Sequence, residues 1–214
     1  MSQPPEQPKI YHIIHWDKLR SIVVDGFLFS DATMANRRNV GTTIGIQNIK
    51  QRRLNSQLDS RPGLRVGDCV PFYWSARSVM LYLFWKNNHP NLTYHGGQEP
   101  IIHLEADLHA TIEWAERNAK RWAFTLSNVG SEYFDDRCDL NELNEINWEA
   151  VQARIWRGDQ ESKQAEFLLE ERFPWELVER IGVYSQATAL QVDQAMAGVA
   201  HRPPMEILRD WYYY

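Results

Sequence analysis

Gln164-Ala165-Glu166-Phe167-Leu168-Leu169-Glu170 reads as a strand from Ala165 to Glu170. In an extended chain Phe167 and Leu169 face one way, Glu166 and Leu168 the other. A carboxylate among such neighbours either lines a cleft or stands in water at a sheet edge, and this stretch alone favours the edge. Pro174-Trp175 follows. Glu179 to Ser185 is a further strand, Ala187 to Met196 a helix, and Ile207 to Tyr214 a last strand.

Before this stretch, Ile10 to Ile14 is a short β-branched strand. Asp17 is placed to cap a helix over Lys18 to Val24, which Gly26 closes. Phe27-Leu28-Phe29 is a second apolar run. A helix is expected over Ile44 to Leu54, and a strand over Cys69 to Trp74. Pro71 places that strand at an edge, or at its own start, because proline cannot donate to a ladder. Ser78 to Trp85 is a buried helix, Pro100 to Leu104 a strand, Asp107 to Asn118 a helix, Trp122 to Leu126 a strand, and Trp148 to Trp156 a helix. The mixture lacks the regular strand–helix alternation of a doubly wound sheet, which points to α+β. A single domain over 10–214 follows a polar, Pro-rich tail at 1–9 that is expected to fray. Segments 31–67 and 127–163 read as long loops, and loops of that length tend to carry function.

Forty-three per cent hydrophobic content and nine Trp in 214 residues supply a core and exclude a disordered chain. Cys69 and Cys138 match no metal spacing, which suggests a reduced, cytoplasmic protein without a disulfide framework. No apolar stretch is long enough to cross a bilayer. Net charge is −5, yet residues 37–65 hold seven Arg or Lys against one acid, Asp59. A basic segment on an acidic body suits a small anionic ligand or a short nucleic acid in one cleft; the alternative is a solvated loop. Arg37, Arg38, Lys50, Arg61 and Arg65 are its electrostatic candidates.

There is no Gly-rich phosphate loop, HExxH, Cys cluster or GxSxG elbow, so metal hydrolysis and serine-type catalysis lack their parts. His12/His15 and His103/His109 have no third ligand at metal spacing. Arg52 or Arg53 could hold a phosphate or base edge bidentately, or lie on a solvated helix face. His12 on an apolar strand reads as a core histidine. Tyr73 and Trp74 read as packing residues, although aromatics beside a basic segment can stack bases. Arg77 is a phosphate contact or a solvated cap.

Taken in order, several segments resemble the DarT family of DNA ADP-ribosyltransferases. They are Ile10-Tyr11-His12-Ile13 with Leu19, Arg52-Arg53, Val70-Pro71-Phe72-Tyr73, Arg77-Ser78 with Met80-Leu81-Tyr82, and Gly96-Gly97-Gln98-Glu99-Pro100-Ile101. Trp148-Glu149-Ala150, Lys163-Gln164-Ala165-Glu166-Phe167-Leu168, Val183-Tyr184-Ser185-Gln186-Ala187 and Asp210-Trp211-Tyr212-Tyr213 complete the set, which spans nearly the whole chain.

The resemblance implies an ADP-ribosyltransferase-type α+β fold whose central split sheet, mixed or antiparallel and flanked by helices, grips NAD. NAD is a substrate, and no metal is implied. ADP-ribose passes to a thymine ring nitrogen of single-stranded DNA, which must be unpaired to be reached. Such proteins act as toxins paired with DarG, a macrodomain antitoxin. By position, Glu166 matches the catalytic glutamate and Arg53 the catalytic arginine, itself an NAD contact. His12, Ile13 and Ile14 match the strand at the nicotinamide end, and Ser21 and Phe29 match further NAD positions. Residues 34–53 match the element covering NAD, and 127–166 the substrate-recognition loop. Tyr73, Arg77 and Met80 fall where the DNA passes. Val79 stands where the family pattern has Pro, and Trp74-Ser75-Ala76 departs from Phe-x-Pro; both lie near the DNA groove. A monomer is expected, with no membrane association. The alternatives are another acceptor (guanine, RNA or protein) and a non-catalytic single-strand-binding module.

Overall fold

Seven residues of alternating pattern, Lys9–His15, form the strand on which the largest sheet turns. The computed structural model describes residues 3–37, 41–131, 133–156 and 158–214. The strands in chain order are β1 (Lys9–His15), β2 (Phe27–Phe29), β3 (Cys69–Tyr73), β4 (Ile101–Asp107), β5 (Trp122–Thr125), β6 (Asp136–Arg137), β7 (Glu166–Glu170), β8 (Arg172–Pro174), β9 (Val178–Val183) and β10 (Met205–Ile207). The helices are α1 (Leu19–Asp25), α2 (Asp31–Ala35), α3 (Gln47–Arg53), α4 (Val79–Lys86), α5 (Leu108–Arg117), α6 (Trp148–Gln152), α7 (Gln160–Lys163) and α8 (Gln186–Ala195).

The eight-stranded sheet runs β10-β9-β4-β1-β3-β7-β5-β6, and β2 pairs with β8 beside it. Its pairings are antiparallel except the parallel β10–β9 edge, which makes it the expected mixed α+β sheet. β1 pairs with β4 along its whole length, from Lys9↔Asp107 to His15↔Ile101. With β3 it shares a single register pair, Tyr11↔Tyr73. The sheet is therefore split between β1 and β3.

Pro71 lies in this split. β3 is an interior strand, not the edge strand its proline suggested. The proline is tolerated because its carbonyl, and with it the side of the backbone where its N–H is missing, faces the parted ladder. There the His12 side chain replaces a backbone partner, Nδ1 donating to the Pro71 carbonyl at 2.7 Å.

Local signals place the helices. Gly26, at φ +74°, ends α1 in the left-handed conformation that glycine adopts at least cost. Ser78, Asp107 and Ser185 cap α4, α5 and α8, each side chain accepting from an N–H of the first turn. Asp17 does not cap α1. Its carboxylate accepts from Thr42 N at 2.9 Å and Thr42 Oγ1 at 2.8 Å, tying the distant 41–46 segment to the start of the helix. The final strand is Met205–Ile207 alone. Beyond it Trp211 packs on Gly182, where a Cβ would meet the ring at 2.4 Å, and the fully buried Tyr212 donates its hydroxyl to the Ile101 carbonyl at 2.7 Å. Aromatic burial, not strand pairing, fixes the C-terminus. The 127–163 segment contains β6, α6 and a turn of 3-10 helix at Leu140–Glu145, and its helix ends at Gln152 instead of Trp156.

Candidate active site at the split in the sheet

Three elements meet behind the split: β3, β7 and α3. Tyr73 and Glu166 are register partners on adjacent strands, so their side chains share one face. β7 is flanked by β3 and β5, so Glu166 is not an edge residue in water; it is 7% exposed. Its own N–H donates to Thr125 Oγ1 at 3.0 Å, and that hydroxyl donates to the Ser127 carbonyl at 2.8 Å, where the long loop begins.

α3 brings Arg53 to the same place, also 7% exposed, while the adjacent Arg52 lies on the outside of the helix. Arg53 Nη1 donates to Glu166 Oε1 at 3.1 Å, and Nη2 lies 2.8 Å from Oε2. The first contact is a hydrogen bond; the second is a close ion pair, and its Nη2 and Oε2 have no hydrogen-bond partner among the described residues. Burial alone would lower the Arg53 pKa, but the Glu166 charge outweighs it and holds the guanidinium above its ordinary range. Tyr73 is raised well above the ordinary phenol by burial and then by the same carboxylate, so it stays a neutral hydroxyl.

His12 faces the split from β1. Burial lowers its pKa below the ordinary 6.5, which leaves a neutral ring whose Nδ1 proton is committed to Pro71. Ile13 and Ile14 are buried in two different clusters, so only their backbone is free to meet a ligand in the split. Ser21 donates to its own helix at the Lys18 carbonyl, 2.8 Å away, and Phe29 lies under the Arg37 guanidinium at 4.3 Å. The structure therefore brings together Arg53, Glu166, Tyr73 and His12, and sets Ser21 and Phe29 farther along α1 and β2.

The basic segment is not uniformly free. Arg37 pairs with Asp25, Lys50 with Asp31, and Arg61 donates to the Trp122 carbonyl at 2.9 Å, while Arg38 lies outside the described residues. Arg77 has no carboxylate partner among the described residues. Its Nε donates to the Asp210 carbonyl at 2.7 Å, and its loop is held by His103 Nε2 on the Ala76 carbonyl at 2.9 Å and by Tyr213 on the Arg77 carbonyl at 3.2 Å. Met80 packs half-buried on α4 with Tyr73.

Sequence reasoning missed Thr125, His103 and Lys163. Lys163 is 4% exposed and donates to the Ser75 hydroxyl at 3.1 Å and to the Val151 carbonyl. It joins the end of α6 and the Arg77 loop to the segment leading into Glu166. Arg52 reaches the Gly130 carbonyl, and Asp136 accepts from Asp59 N at 2.9 Å and Ser60 N at 3.0 Å. The long loop is thus pinned to the basic segment at several points. Among the described residues no group of three His, Cys, Asp or Glu could hold a metal ion, and no helix is long and apolar enough to cross a membrane.

A buried carboxylate clamped by arginine beside a split sheet suits stabilisation of a cationic sugar. A family model described as "ssDNA thymidine ADP-ribosyltransferase, DarT" matches residues 11–213. A Thermus sp. (strain 2.9) protein named DNA ADP-ribosyl transferase is 35% identical, over 98% of each chain. A Thermus aquaticus protein of the same name is 34% identical, over 98% of this chain and 90% of that one. The solved Thermus sp. 2.9 DarT in complex with ADP-ribosylated ssDNA superposes at a TM-score of 0.89 over 99% of both chains, at 34% identity. The same protein with NAD+ superposes at 0.81. From its first strand to its last aromatic residues, this chain belongs to the DarT family of single-stranded-DNA thymidine ADP-ribosyltransferases.

Proposed function

We propose that Glu166 and Arg53 carry the transfer of ADP-ribose from NAD to thymine, with the split between β1 and β3 as the nicotinamide end of the NAD site. The observation that carries this reading is the buried ion pair next to the parted ladder.

In the reaction the bond from ribose C1′ to the nicotinamide nitrogen breaks, nicotinamide leaves as a neutral molecule, a bond from C1′ to a thymine ring nitrogen forms, and the proton on that nitrogen is released to water. Positive charge grows on the ribose in between. Glu166, desolvated and fixed from both sides, is the group that stabilises it, by far more than a solvated carboxylate would. Arg53 is held as a permanent cation by that carboxylate. It therefore orients Glu166 and neutralises anionic substrate groups. His12, with its Nδ1 proton spent on Pro71, presents a neutral ring to the nicotinamide end. Ser21 and Phe29, together with the 34–53 element that Asp17 ties down at Thr42, would hold the remainder of NAD. The 127–166 segment and Tyr73, Arg77 and Met80 would receive the DNA strand.

The family resemblance further supports a toxin acting as a monomer in the cytoplasm, its mark removed by a DarG-type macrodomain partner. The test is to weigh single-stranded oligonucleotides by mass spectrometry after incubation with NAD. A thymine-only oligonucleotide is expected to gain one ADP-ribose unit, a duplex none, and Glu166→Gln protein is expected to add none. A gain on a guanine-only oligonucleotide instead would reassign the acceptor.

A further inference from the structure

Beyond the reacting base, the structure shows a second aromatic surface. α4 runs eight residues beyond its cap Ser78, a length of about 12 Å. At its far end the Trp85 ring stacks on Tyr213, with centroids 5.9 Å apart and planes 22° apart. Tyr82 meets Tyr213 and, from the long loop, Trp156 edge-on, and Trp85 at a tilt. Between Trp85, Gly97, Gln98, Tyr213 and the 77% exposed Tyr214 lies an open cleft of about 350 Å³.

Cations without a carboxylate partner border this cleft; others stand elsewhere among the described residues at Arg20, Arg52 and Arg61. Arg37, Lys50, Lys120, Arg121, Arg137, Arg180 and Arg202 are neutralised by carboxylates. Around this cleft the cations are not. Lys86 stands 3.8 Å over the Trp85 ring, Arg77 5.4 Å over Tyr214, and Arg154 donates to the Tyr214 hydroxyl at 3.5 Å. None of the three has a carboxylate partner among the described residues, and Glu99 is the one acid lining the cleft.

An exposed ring beside unneutralised cations suits a base and its phosphates. We infer that this cleft is a stacking subsite for a nucleotide flanking the target thymine, with Tyr214, beside the Trp85–Tyr213 stack, taking the base and Lys86, Arg77 and Arg154 the adjoining phosphates. The inference rests on the single-stranded-DNA reading above and deepens it. It makes affinity depend on strand length and on salt.

The test is equilibrium binding of end-labelled thymine oligonucleotides of three to ten nucleotides without NAD, so that no transfer occurs. Lys86→Glu and Tyr214→Ala alter exposed side chains and are expected to fold; Trp85→Ala is the third variant, checked by its thermal transition. For wild type, affinity should rise with length. Each variant should lose about tenfold on the ten-nucleotide strand and nothing on the trinucleotide. Lys86→Glu should also lower the slope of log affinity against log salt by about one. Wild-type affinity of the variants for the long strand would overturn the subsite and leave the cleft to a protein partner. Equal loss on short and long strands would overturn it too. A wild-type protein that binds no single strand at any length would overturn both the subsite and the DNA reading beneath it.

Discussion

Arg53 and Glu166, 113 residues apart in the chain, form a buried ion pair, with Nη1 to Oε1 at 3.1 Å and Nη2 to Oε2 at 2.8 Å. Stability and chemistry are coupled through it. Removing one member leaves a buried uncompensated charge, which typically costs about 3–5 kcal/mol. Glu166→Ala is therefore expected to lower the midpoint of chemical denaturation as well as to abolish transfer, against the neutral effect that an exposed carboxylate would have. Glu166→Gln preserves shape and is expected to reduce nicotinamide release by about 10²-fold or more with a smaller loss of stability. Replacing both members, Arg53→Met with Glu166→Leu, should recover stability without activity. Denaturation curves and rates on wild type, Arg53→Met, Glu166→Leu and the double variant check this, and additive stability losses would show that the pair is not coupled.

Lys163 sets a pH signature. Burial pushes its pKa down from 10.5 to about 8, assisted by the nearby Arg77 charge. Below pH 8 both folded and unfolded chains hold the proton; between about 8 and 10.5 only the unfolded chain does. Stability therefore rises with pH through that window. Relative to Lys163→Met, wild type should gain up to about 1.4 kcal/mol per pH unit. Denaturation midpoints at pH 7.5, 8.5 and 9.5 check it, and parallel curves for the two proteins would count against it.

His12 is expected to act as a neutral ring. Its pKa is lowered by burial, so its titration falls below pH 6.5. The folded state then resists protonation that the unfolded chain accepts, and this contribution is lost as pH falls below 6.5. Nicotinamide release by wild type should show no step from His12 between pH 6.5 and 8. His12→Ala, which frees the Pro71 carbonyl, should raise KM for NAD by about tenfold with a smaller change in kcat. A rate profile with a midpoint above 6.5 that vanishes in His12→Ala would contradict the assignment.

Asp17 holds Thr42 by two hydrogen bonds and pairs with His15 at 2.9 Å. These bonds outweigh burial and keep its pKa below 3.8, so the tether persists throughout pH 5–8. Asp17→Ala releases the 41–46 segment. The expected result is a several-fold rise in KM for NAD, with binding of single-stranded DNA unchanged. Titrations with each ligand separate the two, and an equal loss for both would place the tether elsewhere in the mechanism.

The individual strands were legible because their signals are local. Ile10–Ile14, Phe27–Phe29 and Ala165–Glu170 alternate or cluster as strands must, and Gly26, Ser78 and Asp107 mark helix ends by their own backbone chemistry. β8 escaped, because Arg172–Pro174 is three residues long and exists through its partner β2. The family motifs marked Glu166, Arg53, His12, Tyr73, Arg77 and Met80 by position; they left Lys163 and Thr125 unassigned, since a buried lysine and a threonine at a strand end look ordinary in one dimension.

What the sequence determined by itself was the class of element at most places, the α+β mixture and the family. What only the tertiary structure decided was environment. Glu166 became a buried, clamped carboxylate instead of an edge residue in water because β5 and β3 close on both sides of β7. Pro71 sits in an interior strand because the sheet parts beside it. Asp17 reaches Thr42 instead of the helix behind it, since a carboxylate binds whichever donors the fold brings within 3 Å. Burial and charge pairing depend on contacts dozens of residues apart, and local periodicity carries no record of which distant strand will lie alongside.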